Sequence, residues 1–136
     1  MSLPAASGRA VLEALMAKTY IGTRRGDGGT DVRVSDGTVS RPLPWRLDLM
    51  NKSPTGLEWG YGGSGPGQLA LAILADATGD DDLAVRLHQP FKWAWIAPLP
   101  RRAGWTIPEE SVLQFVRTHS AAPGFDKFRD REDPNA

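Results

Sequence analysis

The segment that most constrains this chain is Leu57-Glu58-Trp59-Gly60-Tyr61-Gly62-Gly63-Ser64-Gly65-Pro66-Gly67-Gln68, which leads straight into the apolar run Leu69-Ala70-Leu71-Ala72-Ile73-Leu74. Five glycines fall in the eight positions 60–67. A backbone with so few Cβ atoms can take positive φ, let bulky neighbours approach, and turn its amides toward a ligand, a partner or another part of the chain. The run that follows is apolar nearly all round, which predicts the most buried helix of the fold.

A chain of 136 residues supports one hydrophobic core rather than two. Its 15 glycines and 11 prolines imply many turns. Lys+Arg and Asp+Glu are both 16, so there is no global basic field of the kind that drives non-specific nucleic-acid binding. The local distribution is uneven. Residues 57–83 contain Glu58, Asp76, Asp80, Asp81 and Asp82 and no base, which places the glycine loop in an acidic segment of the sequence. From residue 84 to 118 the balance reverses, with Arg86, Lys92, Arg101, Arg102 and Arg117 against Glu109 and Glu110. The absence of cysteine excludes disulfides, thiolate chemistry and cysteine metal sites. The N-terminus lacks a basic region followed by an apolar core, and Leu69–Ala75 is too short to span a bilayer, so a cytoplasmic protein without membrane contact is expected.

Residues 1–18 read as an extension that is flexible or forms a short helix, 19–118 as a single domain, and 119–136 as a flexible tail. Alternation predicts a strand from Thr19 to about Arg24 and a second over Asp31–Val34, separated by the turn cluster Gly26-Asp27-Gly28-Gly29. Asp36-Gly37 at the centre of a two-residue turn would set Val34 opposite Val39, and Pro42 and Pro44 end the third strand. Leu57, Trp59 and Tyr61 alternate as in a fourth strand with one buried face. Helices are expected over Pro66–Ala77 with Gly79 as the stop, over Asp82–Ala97 with Pro90 either bending it near Arg86 or breaking it so that a new helix starts after Gln89, and over Ile107–Thr118 behind a capping box at Thr106-Ile107-Pro108-Glu109. The sum is an α+β fold, a small antiparallel sheet of three to four strands on about three helices.

Gly60-Tyr61-Gly62-Gly63-Ser64-Gly65 matches G-x-G-x-x-G, but the neighbouring strands read as antiparallel and Asp80 opens a helix, unlike a dinucleotide fold. No lysine follows the glycines as in a phosphate-binding P-loop, and Pro66 replaces the second glycine of a hydrolase elbow. Gly62, Gly63, Ser64 and Gly65 therefore form either a ligand or anion cradle or a tight strand-to-helix connection, with Ser64 or Gly65 as helix cap. His88 and His119 are the sole histidines and show no metal-ligand spacing. His88 reads as a partly exposed helix residue. No catalytic set, metal or cofactor is expected. Arg86, Lys92, Trp93, Arg101 and Arg102 mix cations with an aromatic ring, as protein interfaces and single-strand nucleic-acid grooves both do. Trp93 lies off the Leu83-Leu87-Phe91-Trp95 stripe, so its exposure separates a contact surface from a core.

The W-G-Y-G-G-S-G-P block at Trp59–Pro66, followed by Gln68-Leu69-Ala70-Leu71-Ala72, Leu87-His88-Gln89, Phe91-Lys92 and the stretch from Leu99 to Trp105, resembles an uncharacterised family of short proteins of bacterial mobile elements and phages. The resemblance covers roughly Thr19–Val116. It implies a compact accessory protein and brings no known reaction. Pro90 and Gly67 depart from the family pattern, in which a helix continues at the first and a larger small residue such as alanine stands at the second. The expected function is a non-enzymatic binding module contacting protein or nucleic acid. The alternative is an enzyme or small-ligand domain built on the Gly60–Gly67 loop.

Overall fold

The computed structural model describes residues 17–120. The expected extension up to residue 16 and the tail from residue 121 lie outside them. The strands are β1 (Thr19–Arg24), β2 (Thr30–Ser35), β3 (Ser40–Pro42) and β4 (Trp105–Pro108), in the spatial order β3-β2-β1-β4 with every neighbouring pair antiparallel. The helices are α1 (Ser64–Thr78), α2 (Asp81–Phe91) and α3 (Glu109–Ser120), and a π-turn, Lys92–Ile96, extends α2. The architecture is α+β, as the sequence predicts.

One face of the sheet is apolar because alternate residues of adjacent strands meet there. Val34, Tyr20 and Ile107 form one row, and Val32, Gly22 and Trp105 the next. A Cβ on Gly22 would collide with the Trp105 indole, so the glycine is the recess that lets a tryptophan lie flat across a central strand. Trp59 then meets Trp105 edge to face at 5.5 Å and 84°.

Helix α1 is the centre of the molecule. Gly65 to Ala75 are buried without a break, and Leu69 to Leu74 are fully inaccessible. Gly79 ends the helix with φ 66° and donates its amide to the Ala75 carbonyl at 2.9 Å, and Asp80 caps α2 by accepting the Leu83 amide at 3.1 Å.

Four local expectations are corrected. Residues 57–61 form no strand; Leu57 and Trp59 are buried, but Tyr61 turns outward. The fourth strand is Trp105–Pro108, where a capping box was expected, and Pro108 is tolerated because it lies on an edge strand. The β2–β3 turn is wider than two residues. Val34 pairs with Arg41 and Ser35 with Ser40, while the Asp36 carboxylate accepts the amides of Thr38 and Val39 and leaves Val39 exposed. The helix does not break at Pro90. Proline removes the amide that would close onto Arg86, and the helix widens just beyond it, where the Ala97 amide reaches the Lys92 carbonyl at 2.8 Å. That widening lets Ile96, rather than Trp95, follow Phe91 into the core.

Candidate functional site: an aromatic and cationic face on the glycine loop

The loop Gly60–Gly63 crosses the surface between buried Trp59 and the start of α1. Its path is fixed from below: Trp59 Nε1 donates to the Ala103 carbonyl at 3.0 Å, and the Gly60 amide donates to the Ile96 carbonyl at 3.1 Å. Gly60 has φ +86°, and a Cβ there would stand 2.5 Å from Arg101 Cα. The glycine is therefore required twice, by its dihedral and by the close approach of the Ala97–Gly104 connection.

The space in front of the other glycines is filled by the protein itself. The Trp93 indole covers Gly62, the Tyr61 ring covers Gly63, and Glu58 Cβ lies 2.7 Å from where a Gly65 Cβ would be. Gly63 is the N-cap of α1 and makes no side-chain cap bond, so Ser64 is the first helical residue rather than the cap, and it is exposed. Pro66 sits in the first turn, as expected, where its missing N–H costs nothing. The Gly62 carbonyl accepts from Lys92 Nζ at 3.0 Å. Lys92 is almost wholly buried, and that desolvation pushes its pKa below the ordinary lysine value.

Two rings reach solvent here. Trp93 is 60% exposed and Tyr61 36%. Each carries a cation: Lys92 Nζ lies 4.5 Å from the Trp93 ring centroid, and the Arg101 guanidinium 4.6 Å from that of Tyr61. Arg101 and Arg102 stand together in the turn after Pro100, both exposed. Arg24 joins this region to the sheet. It pairs with Glu58 at 2.9 Å, lies 4.5 Å over Trp59 and donates to the Arg101 carbonyl.

Of the residues singled out by sequence, Gly62, Gly63, Lys92, Trp93 and Arg101 come together through Tyr61 and the loop, and Arg102 follows Arg101 in the chain. Arg86 does not join them through any such contact; it is ion-paired with Asp82 one turn earlier on α2. Tyr61 was missed, because its alternation with Leu57 and Trp59 marks it as inward-facing. The acidic segment of the sequence is not acidic around the loop. Asp76, Asp80, Asp81 and Asp82 sit at the far end of α1, about 20 Å away at 1.5 Å per residue, which leaves Glu58, already paired with Arg24.

His88 is fully buried rather than partly exposed, with Nδ1 2.6 Å from the Val85 carbonyl. Among the described residues, no three histidine or carboxylate side chains gather to hold a metal ion, and no helix is long and apolar enough to cross a membrane. A separate cleft of about 410 Å³ lies between Trp95 and the Glu110, Gln114 and Thr118 side of α3, away from the glycine loop and lined by none of the predicted site residues.

Comparison with curated proteins and with solved structures gives no match. A family model, described as a family of unknown function (DUF6166), matches residues 20–118, from the first strand through the last helix. The chain with this glycine loop and its aromatic, cationic face belongs to that family.

Proposed function

We propose that this protein is a non-enzymatic binding module, a cytoplasmic accessory protein of mobile elements or phages that contacts a macromolecule through the Tyr61–Trp93 face. The observation that carries the reading is the exposure of Trp93 beside Tyr61, each ring cation-capped, on a loop held rigidly from beneath. Large exposed rings flanked by arginine are the side chains from which interface hot spots are built. The resemblance of the Trp59–Pro66 block supports the mobile-element setting.

The alternative, a small-ligand or anion cradle in the loop, finds less support. The positions a ligand would take before Gly62, Gly63 and Gly65 are filled by Trp93, Tyr61 and Glu58, and the Gly62 carbonyl is occupied by Lys92. The test is affinity capture from the native host with wild type and with a Trp93→Ala/Arg101→Ala double variant that melts at the same temperature. Macromolecules bound by wild type should be lost from the variant. Equal capture by both proteins refutes the proposal, as does binding of a small anion that shifts the loop amides in NMR spectra.

A further inference from the structure

We infer that the occupant of this face is single-stranded nucleic acid, with unpaired bases stacking on Trp93 and on the Tyr61–Arg101 pair and the phosphates running past Arg101 and Arg102. The inference rests on the preceding assignment of the face and adds the chemistry of its partner.

Most arginines of the described residues are committed within the protein. Arg24, Arg25, Arg41, Arg46, Arg86 and Arg117 are each held by a carboxylate, and Arg33 donates to the hydroxyl and carbonyl of Ser40. Among the described residues, Arg101 and Arg102 have no carboxylate partner; Arg101 lies over the Tyr61 ring, and Arg102 follows it in the same exposed turn. A net charge of zero thus hides a place, among the described residues, where neighbouring cations are left uncompensated. The Glu58 carboxylate, the one acid of the loop, is neutralised by Arg24. A polyanion is the complementary partner for such a place.

The rings narrow the class further. Trp93 rests on Gly62 on one side and is mostly open to solvent, so a planar group can lie on it without a rearrangement of the core. Arg101 lies over Tyr61 and offers a guanidinium plane on which a base can stack. Tyr61 and Trp93 sit over neighbouring glycines, Gly63 and Gly62, which suits successive bases of one strand. A duplex keeps its bases stacked on one another and presents no free faces to these rings. An acidic protein surface would satisfy the arginines but has no equivalent use for the open Trp93 ring and a guanidinium plane laid on Tyr61.

The test uses the whole chain and short single-stranded DNA and RNA oligonucleotides, with the matching duplex and an acidic peptide as competitors. Fluorescence anisotropy of labelled single strands should rise on addition of protein, and the affinity should fall linearly with salt on a double-logarithmic plot. Tryptophan emission should be quenched in wild type and not in Trp93→Ala. Trp93→Ala and Tyr61→Ala should each weaken binding on the order of 10-fold to 100-fold, and Arg102→Ser should lower the salt slope by about one. Trp45→Ala, at an exposed ring beside Gly56 rather than on this face, should leave binding unchanged. Duplex bound more tightly than single strands, or affinity untouched by the two ring variants, overturns the inference. No oligonucleotide binding at low salt, with a protein partner captured and lost from Trp93→Ala/Arg101→Ala, overturns it while leaving the binding-module reading intact. Neither oligonucleotide nor partner overturns both.

Discussion

Replacing glycines of the loop and helix α1 one at a time by alanine separates two reasons for glycine that the sequence runs together. At Gly79, φ is +66° and nothing lies within 4 Å of an added Cβ, so alanine meets dihedral strain alone. A left-handed alanine costs about 1–2 kcal/mol, partly offset by the lower entropy of the unfolded chain. At Gly60, φ is +86° and the Cβ would stand 2.5 Å from the Arg101 backbone, so the chain after Pro100 must move and loosen the Trp59–Ala103 bond. Strain of about 1–3 kcal/mol and overpacking of about 1–3 kcal/mol then add, for a loss of about 2–6 kcal/mol. At Gly67 neither penalty applies. The new methyl would meet Lys52 Cδ at 3.5 Å and Lys92 Cδ at 3.8 Å, ordinary contacts, inside a helix where alanine gains about 1 kcal/mol over glycine. For a domain of this size each kcal/mol moves the melting temperature by about 4–8 °C. Thermal melts should therefore rank Gly67→Ala above wild type, Gly79→Ala a few degrees below it, and Gly60→Ala far below both. A Gly60→Ala variant that melts with Gly79→Ala would refute the claim that the loop is pinned against Arg101.

Three further outcomes are expected. Gln68 is wholly buried, accepts the amides of Lys52 (2.8 Å) and Ser53 (3.2 Å), and donates to the Trp45 carbonyl (2.7 Å); Gln68→Leu strands these groups and should cost about 3 kcal/mol in urea unfolding, and a loss under about 1 kcal/mol would show that water replaces them. Burial alone would raise the Asp76 carboxyl, but hydrogen bonds from Arg41 and Tyr20 and the charges of Lys18 and Arg41 outweigh it and hold its pKa below the ordinary 3.8. Its contribution to stability is thus fully present above 3.8 and is lost as pH falls through the lower folded value, so Asp76→Asn should be less stable at neutral pH and show a shallower acid loss than wild type; parallel acid profiles would sink this account. Trp93→Ala, at an exposed position, should change stability by no more than about 0.5 kcal/mol, and a larger loss on thermal melting would make Trp93 a structural residue.

The parts of the fold that were legible in the sequence are those whose causes are local. Gly79 and Asp80 mark a helix end and a helix start through their own backbone and side-chain chemistry, and the all-apolar run at Leu69–Leu74 can only be interior. What failed depended on a partner remote in the chain. Leu57 and Trp59 alternate with polar neighbours, yet they pair with no strand, whereas four residues at Trp105–Pro108 become a strand by pairing along β1. The site shows the same division. Exposure of Trp93 follows from its place off the helical stripe, but the meeting of Arg101 with Tyr61, and the removal of four aspartates to the other end of α1, are consequences of tertiary packing that no spacing displays.

The position of β1 between β2 and β4 governs how the chain can come into being. During synthesis β1 and β2 can pair early, but the other edge of β1 stays open until residues 105–108 have emerged, and the cover that α3 gives α1 arrives only after them. An open edge beside an incompletely covered apolar helix is a template for association with other chains. Premature release of the nascent polypeptide before Trp105 would therefore yield a sticky fragment rather than a smaller working protein, and acquisition of the native state is deferred to the last stretch translated through α3.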